Sequence, residues 1–342
     1  MKQFLFCLLL TCCLASAQAQ TPPDVNSEAR AAFNAGRYDE VIQKLIAFSA
    51  PSRDLRDVAY LIGMSWYQKR EYQRAIPHLQ AVIRAGNEAP GDSQVVREYF
   101  ECYQALGLSH YLLGHLAESV PYLEQVTKRA PNNNELTYAL GMASVQTRQP
   151  DKARQAFARM FRVEADSAAA HLLTAQMMIR VEFEEFAEVE LKKALEKDPR
   201  LPQANYLLGQ NAIYKAKYDE GIALMEKELA INPNNAMAYY KIGDAYTRQL
   251  KWDEAITALQ KSVWLYPFYS GPYILLGKSY LKKREFQSAE GMLRRAIQFD
   301  PNNKSAHYLL AQVYQQQGRA EDAKREFAIS EKLQGDAEKP EK

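Results

Sequence analysis

Residues 236–269 read AMAYYKIGDAYTRQLKWDEAITALQKSVWLYPFY, and this block decides the fold. Its small residue Gly243 belongs to a series that advances by one constant interval, equal to the length of the block: Gly107, Gly141, Ala175, Gly209, Gly243, Gly277 and Ala311. A register kept over six steps is typical of one structural unit that is stacked many times. The sequence therefore predicts a solenoid, in which each unit contacts mainly its neighbours.

Each block has the internal pattern of two helices joined by a turn. Twelve residues after Gly243 comes a second small residue, Ala255, and four residues later a large apolar one, Leu259. Small residues let two helices cross closely, and the large residue fills the groove between them. Blocks close with Pro-Asn-Asn or a relative of it, as at Pro301-Asn302-Asn303. Proline ends a helix and asparagine favours a turn, so each block is predicted to be a helix–turn–helix unit.

The pattern resembles the tetratricopeptide repeat, a helix–turn–helix unit of about 34 residues. That repeat has small residues at positions 8 and 20 and proline at position 32, and in the block quoted above these positions hold Gly243, Ala255 and Pro267. The resemblance implies an all-α, right-handed superhelical α-solenoid of about nine repeats. We predict repeats at about 22–55, 56–89, 100–133, 134–167, 168–201, 202–235, 236–269, 270–303 and 304–337, with an insertion at 90–99. The solenoid domain is then 20–337, followed by a disordered tail at 338–342.

Three repeats depart from this pattern. Repeat four has Ala165 where proline is expected, and repeat five has Glu184 where an aromatic residue is usual. Repeat six carries Gly221 and the polar Glu228 on its second helix. These two residues favour loose packing of that helix, whereas none of the departures threatens the fold.

The N-terminal residues have the features of a secretory signal peptide at 1–19. Lys2 precedes an apolar run at 4–14, and Ala17-Gln18-Ala19 forms a small-x-small cleavage site. The run is too short to span a membrane, and no later stretch approaches the roughly 20 apolar residues that a span needs. We therefore expect an exported protein of the periplasm or the extracellular space, without a transmembrane segment.

The cysteines leave an alternative for the N-terminus. Cys7, Cys12 and Cys13 lie in the leader, and Cys12 or Cys13 could be lipid-anchored, as in bacterial lipoproteins. The residue before such a cysteine is usually Gly, Ala or Ser, whereas here it is Thr or Cys, which favours cleavage after Ala19. The remainder of the chain has only Cys102, so it cannot form an intramolecular disulfide.

The sequence gives no indication of catalysis, of a metal or cofactor, or of nucleic-acid binding. The 43 basic and 41 acidic residues nearly balance, which argues against a nucleic-acid partner. There is no glycine-rich phosphate loop and no His-Glu-x-x-His pair, and the five histidines are scattered over different repeats. We predict that the chain is not an enzyme.

The resemblance implies a concave groove lined by the first helix of each repeat, at positions 2, 5, 9, 12 and 13. Tyrosines there offer contact area at low entropic cost, and amide or cationic side chains bind a peptide's backbone and acidic groups. The candidate peptide-binding residues are Tyr206, Gln210, Tyr240, Lys241, Asp244, Arg248, Lys278, Lys282, Tyr308 and Gln312. The four cationic members of this set form the predicted hot spot. The tyrosines have a structural alternative, which is packing of the stack.

We therefore predict a non-catalytic scaffold or adaptor that binds extended segments of other proteins. One alternative is a subunit of an envelope assembly, secretion or pilus machine, within a membrane-associated complex. Another is an accessory module of a separately encoded carbohydrate- or peptide-processing enzyme.

Overall fold

The computed structural model describes residues 23–48, 56–85 and 93–337, and these residues form helices joined by turns. The predicted leader at 1–19, the tail at 338–342 and residues 90–92 of the predicted insertion lie outside the described residues. The chain divides into two compact units, Met1–Arg162 and Val163–Lys342. The division falls within predicted repeat four, close to the atypical Ala165.

The first unit consists of consecutive helices that pack on their neighbours along the chain. They are α1 (Pro23–Asn34), α2 (Tyr38–Leu45), α3 (Arg56–Gln68), α4 (Tyr72–Ala85), α5 (Ser93–Leu112), α6 (Leu116–Arg129), α7 (Asn134–Gln146) and α8 (Pro150–Phe161), with a short 3-10 turn at Ile46–Phe48 after α2. Helix α5 begins at Ser93, so residues 93–99 of the predicted insertion form its first turns.

A buried carboxylate ties this extension of α5 to the preceding helices. Glu98 is almost completely buried and accepts hydrogen bonds from Arg30 Nη1 at 2.8 Å and from Arg56 Nη2 at 3.2 Å. Because these arginines lie on α1 and α3, one carboxylate joins three helices. The first turns of α5 are therefore packed against the preceding helices through Glu98.

The second unit consists of helix pairs that match predicted repeats five to nine. The helices are α9 (Ala168–Arg180), α10 (Glu184–Lys197), α11 (Ala204–Tyr214), α12 (Tyr218–Ile231), α13 (Ala236–Arg248), α14 (Trp252–Leu265), α15 (Ser270–Lys282), α16 (Phe286–Phe299), α17 (Lys304–Gln316) and α18 (Ala320–Ala337). Each first helix packs on the second helix of its pair, and each pair packs on the next. The predicted all-α architecture of stacked helix pairs is confirmed.

The helices of a pair cross where the sequence pattern predicts. A Cβ added at Gly243 would lie 2.4 Å from the Leu259 Cγ, and one at Gly277 would lie 2.4 Å from the Leu293 Cγ. Both leucines are fully buried. The two positions thus form a close crossing in which the leucine side chain occupies the space that the glycine leaves.

The turn between the helices of a pair places one residue in the left-handed backbone region. Apart from a longer step across the insertion, from Arg70 to Gly114, this position advances through the repeats with the same period, and it holds Gly36, Gly114 and Gly318, with φ between +74° and +77°. In the other repeats it holds Arg70, Arg148, Glu182, Ala216, Leu250 and Arg284, with φ between +59° and +63°. A residue with a side chain pays roughly 1–2 kcal/mol in this conformation, so most of these turns are strained.

Asparagine caps explain the Pro-Asn-Asn ends of the blocks. The side-chain oxygens of Asn133, Asn235 and Asn303 accept hydrogen bonds from the backbone N–H three residues later, at 3.1 to 3.2 Å. These bonds satisfy a backbone donor that the first turn of a helix leaves unpaired. Helices α7, α13 and α17 therefore begin at the residue that follows each cap.

Helix α11 uses a different cap, and this cap corrects one expectation. Both carboxylate oxygens of Glu228 accept from the backbone N–H of Gln203, at 3.0 and 3.1 Å, and Glu228 is only 1% exposed. At Gly221, an added Cβ would lie 2.5 Å from the Ile213 Cγ1, so no space is left there. The expectation that Gly221 and Glu228 loosen the second helix of repeat six is wrong.

Candidate peptide-binding groove

The ten candidate residues lie on four first helices of the second unit. Tyr206 and Gln210 are on α11, Tyr240, Lys241, Asp244 and Arg248 on α13, Lys278 and Lys282 on α15, and Tyr308 and Gln312 on α17. Each of these helices contacts the next first helix along the stack. Positions 5, 9 and 13 are four residues apart and so share one face of a helix.

The tyrosines at position 5 are partly held by packing. The Tyr240 ring meets the Tyr269 ring edge-on, with centroids 5.4 Å apart, and burial raises the pKa of the Tyr240 hydroxyl. A Cβ at Gly271 would lie 3.1 Å from the Tyr240 hydroxyl oxygen, so this ring also contacts the start of α15. Tyr308 is 48% exposed and meets the Phe327 ring at 5.6 Å. These rings have a structural role and retain an exposed part.

One of the four cations of the predicted hot spot, Arg248, already forms an ion pair within the chain. Arg248 Nε donates to both Asp244 oxygens at 3.1 Å, and this hydrogen bond raises the pKa of Arg248. Lys241 Nζ lies 5.7 Å from the centroid of the Tyr240 ring. Lys278 and Lys282 have no hydrogen-bonding or ionic partner among the described residues and lie four residues apart on α15. The charge available to an acidic ligand is therefore centred on α15.

The remaining candidates, Gln210 and Gln312, supply polar amide groups. Gln210 is exposed on α11, and Gln312 is half-buried on α17. In the described ranges no group of three or more His, Cys, Asp and Glu side chains could hold a metal ion. His171 and His307 instead pair with a carboxylate of the following helix, Nδ1 lying 2.7 Å from Glu190 and 2.6 Å from Glu326.

A cavity of about 170 Å³ opens beside Gln210, between α9, α10 and α11. Its apolar walls are Ile179, Ala187, Leu191 and Leu207, and its polar rim is formed by Glu184, Glu188, Gln210, Asn211 and Tyr214. The Tyr214 side chain is 85% exposed. The cavity thus combines an apolar interior with an accessible aromatic edge.

One polar atom of the cavity lacks a partner. Asn211 Nδ2 donates to Glu188 at 3.2 Å, whereas the buried Asn211 Oδ1 accepts no hydrogen bond. Glu188 also accepts from Lys192 at 2.7 Å and from Lys215 at 3.1 Å. The Lys192 hydrogen bond, followed by that of Lys215, lowers the pKa of Glu188, so this carboxylate is ionised at neutral pH.

The sequence pattern did not predict this cavity, although Glu184, an unusual residue at its register position, borders it. Glu184 occupies the register position at which α12, α14 and α16 begin with Tyr218, Trp252 and Phe286. A missing ring at a position that is aromatic in each of the next three repeats was the signal in the sequence.

Models of the tetratricopeptide repeat match residues 111–177, 206–270 and 280–338, together more than half of the chain. No curated protein matches the sequence. No helix in the described part of the chain is long and apolar enough to cross a membrane.

Several solved structures are similar to the chain. MamA (residues 41 to the end) from Desulfovibrio magneticus has 21% identity and a TM-score of 0.48, over 51% of this chain and 98% of that chain. YrrB, described as a TPR protein with an unusual peptide-binding site, has 22% identity and a TM-score of 0.47, over 54% of this chain and 95% of that chain. The Cut9–Hcn1 hetero-tetramer of the APC/C has 17% identity and a TM-score of 0.44, over 84% of this chain and 55% of that chain.

Proposed function

Because the chain belongs to the tetratricopeptide repeat family, we propose that it is a non-catalytic scaffold that binds an extended, acidic segment of another protein along helices α11 to α17. The observation that carries this proposal is the pair of lysines on α15, Lys278 and Lys282, which have no partner among the described residues. Two cations on one helix face offer charge-assisted hydrogen bonds to carboxylates.

The surroundings of these lysines support a peptide ligand. Other cations of the second unit, such as Lys197, Arg248 and Lys283, already bind carboxylates of the same chain. Partly exposed tyrosine rings lie on the neighbouring first helices α13 and α17, and the amides of Gln210 and Gln312 lie on α11 and α17. Amide side chains both donate and accept hydrogen bonds, as a peptide backbone requires.

The proposal is tested by reversing the two charges. The double variant Lys278→Glu, Lys282→Glu should weaken binding of an acidic peptide at low salt at least tenfold. Helicity and thermal midpoint should stay unchanged, because Lys282 is exposed, Lys278 is half-buried and neither loses an ion pair among the described residues. The matched control is Lys227→Glu, Lys332→Glu, which makes the same net charge change on exposed residues of α12 and α18. Equal loss in both variants, or no loss in the first, would refute specific binding at α15.

The same variants serve to identify the partner. Crosslinking capture from the native cell envelope should recover a protein with the wild-type chain and the control, and lose it with the α15 variant. Identical captures by all three would place the partner elsewhere on the chain.

We also propose that the scaffold works outside the cytoplasm, on the strength of the leader sequence at 1–19. Alkaline phosphatase fused after residue 342 should be active when the leader is present and inactive when residues 2–19 are deleted. Equal activity of both fusions would contradict export by this leader.

A further inference from the structure

The cavity beside Gln210 results from one residue of the repeat. Tyr218 begins α12, and Arg248 of the following repeat ends α13. The residues at the equivalent positions one repeat earlier are Glu184 and Tyr214, and both of them line the cavity. Glutamate is smaller than tyrosine and charged, so it leaves apolar walls uncovered. The adjacent Phe183 and Phe186 pack against each other, with centroids 6.2 Å apart, and are not part of the lining.

The size of the cavity suits a single apolar side chain. Its volume is about 170 Å³ and its walls are Ile179, Ala187, Leu191 and Leu207. An apolar protein cavity of about 150 Å³ is known to hold benzene. A leucine, methionine or phenylalanine side chain of a ligand would therefore find both room and apolar contacts.

The polar side chains at the cavity are held by contacts within the chain. The Glu188 carboxylate only accepts hydrogen bonds, so it fixes the Asn211 amide with Nδ2 toward Glu188. Asn211 Oδ1 is buried, so the surface that the cavity offers to a ligand is mainly apolar.

We infer that this cavity binds an apolar anchor residue of an extended peptide whose acidic residues bind Lys278 and Lys282. The inference rests on the proposed function and specifies its ligand. The carboxylates of Glu184 and Glu188 at the cavity rim disfavour an acidic residue at the anchor itself. The ligand is thus apolar at one end and acidic at the other.

The distance between the two sites defines the spacing in the ligand. Helix α11 forms one side of the cavity and the lysines lie on α15, and α13 contacts both of these helices. Packed helices are about 8–10 Å apart, so two steps cover about 16–20 Å. An extended chain advances about 3.3 Å per residue. The anchor and the acidic residues should therefore be separated by about five or six residues.

A peptide series tests this spacing on the chain without its leader. The probes are fluorescein-labelled Gly/Ser peptides with one leucine and one Glu-Glu pair, separated by two to nine residues in either order. Fluorescence anisotropy should give the tightest binding at five or six. Replacing the leucine of that peptide by glycine should weaken binding about tenfold to a hundredfold, as expected for burial of one leucine side chain.

Two variants at one position test the cavity. Glu184→Tyr restores the ring found at this position in the next repeats and should abolish the advantage of the leucine peptide over the glycine peptide. Glu184→Gln removes the charge, leaves the cavity open and should keep that advantage. Circular dichroism checks that both variants are folded, and the peptide comparison on the wild-type chain does not depend on either variant.

The outcomes separate the two proposals. If acidic peptides bind and require Lys278 and Lys282 but the leucine has no effect, or if Glu184→Tyr keeps the leucine advantage, the anchor site is wrong and the proposed function stands. If no peptide of the series binds at any spacing, the acidic-peptide scaffold itself is refuted.

Discussion

Replacement of Gly243 by alanine should destabilise the second unit, and Gly291→Ala provides a matched control. The new Cβ at Gly243 would lie 2.4 Å from the Leu259 Cγ and 2.6 Å from its Cδ2. Leu259 is fully buried and cannot move aside freely. At Gly291, in α16, an added Cβ would meet nothing within 4 Å.

The two substitutions share one favourable contribution and differ in another. In both helices, alanine gains about 0.5–1 kcal/mol over glycine from backbone entropy. Only at Gly243 does the added methyl group overpack the core, at a cost of about 1–3 kcal/mol. The difference in the free energy of unfolding between the variants should therefore equal the overpacking cost, about 1–3 kcal/mol, since the shared contribution cancels.

Thermal unfolding followed by circular dichroism measures this difference. A change of 1 kcal/mol shifts the midpoint by about 2–4 °C in a domain of this size. We expect Gly291→Ala to melt above the wild type and Gly243→Ala below Gly291→Ala by several degrees. Equal midpoints for the two variants would mean that α13 and α14 do not cross at Gly243, and the register would be refuted.

Three further predictions concern buried and paired groups. Burial raises the pKa of the Cys102 thiol, so a chain without its leader should react with a thiol reagent only after unfolding; rapid reaction of the folded chain would contradict this. Glu228→Ala leaves the Gln203 N–H without its acceptor and should lower the free energy of unfolding in urea by about 1–3 kcal/mol, with a smaller loss for Glu228→Gln; a wild-type midpoint for the alanine variant would exclude the cap. The Lys192 hydrogen bond lowers the pKa of folded Glu188 below 4.5, so the ionised Glu188 carboxylate stabilises the fold fully above that pH, and this stabilisation is lost as the pH falls through the lower folded-state pKa. Lys192→Gln should reduce this acid-induced loss of stability, measured as urea midpoints at successive pH values. A pH profile identical to that of the wild type would contradict the prediction.

The sequence predicted the helix pairs well because the period itself reflects how they pack. Gly243 and Leu259 lie on different helices of one repeat and meet at the crossing of α13 and α14. Every repeat needs a small residue where its two helices cross closely, so small residues recur at this position and can be recognised in the sequence. The start of α13 at Ala236, the first residue of a predicted repeat, follows from the Asn235 cap, which is also visible in the sequence.

The cavity and the ion pairs of the candidate site were less predictable, because they depend on which side chains of neighbouring helices fill the space and which carboxylates bind the cations. Arg248 is four residues from Asp244, so their ion pair could have been foreseen from helix geometry. The cavity could not be measured from the sequence, because its walls come from three helices. Likewise, the sequence does not distinguish Lys278 and Lys282 from lysines that form ion pairs, because the difference is whether an adjacent helix supplies a carboxylate.

The strained turns between paired helices give this chain an unused capacity for thermostabilisation. Six of them hold a residue with a side chain at φ between +59° and +63°, for example Leu250 and Arg284. Asparagine tolerates this region better than leucine or arginine, and it loses less entropy on folding than glycine. Repeats contact mainly their neighbours, so gains at separate turns should add. Heat resistance could therefore be raised one turn at a time, without altering any helix face that a ligand would contact.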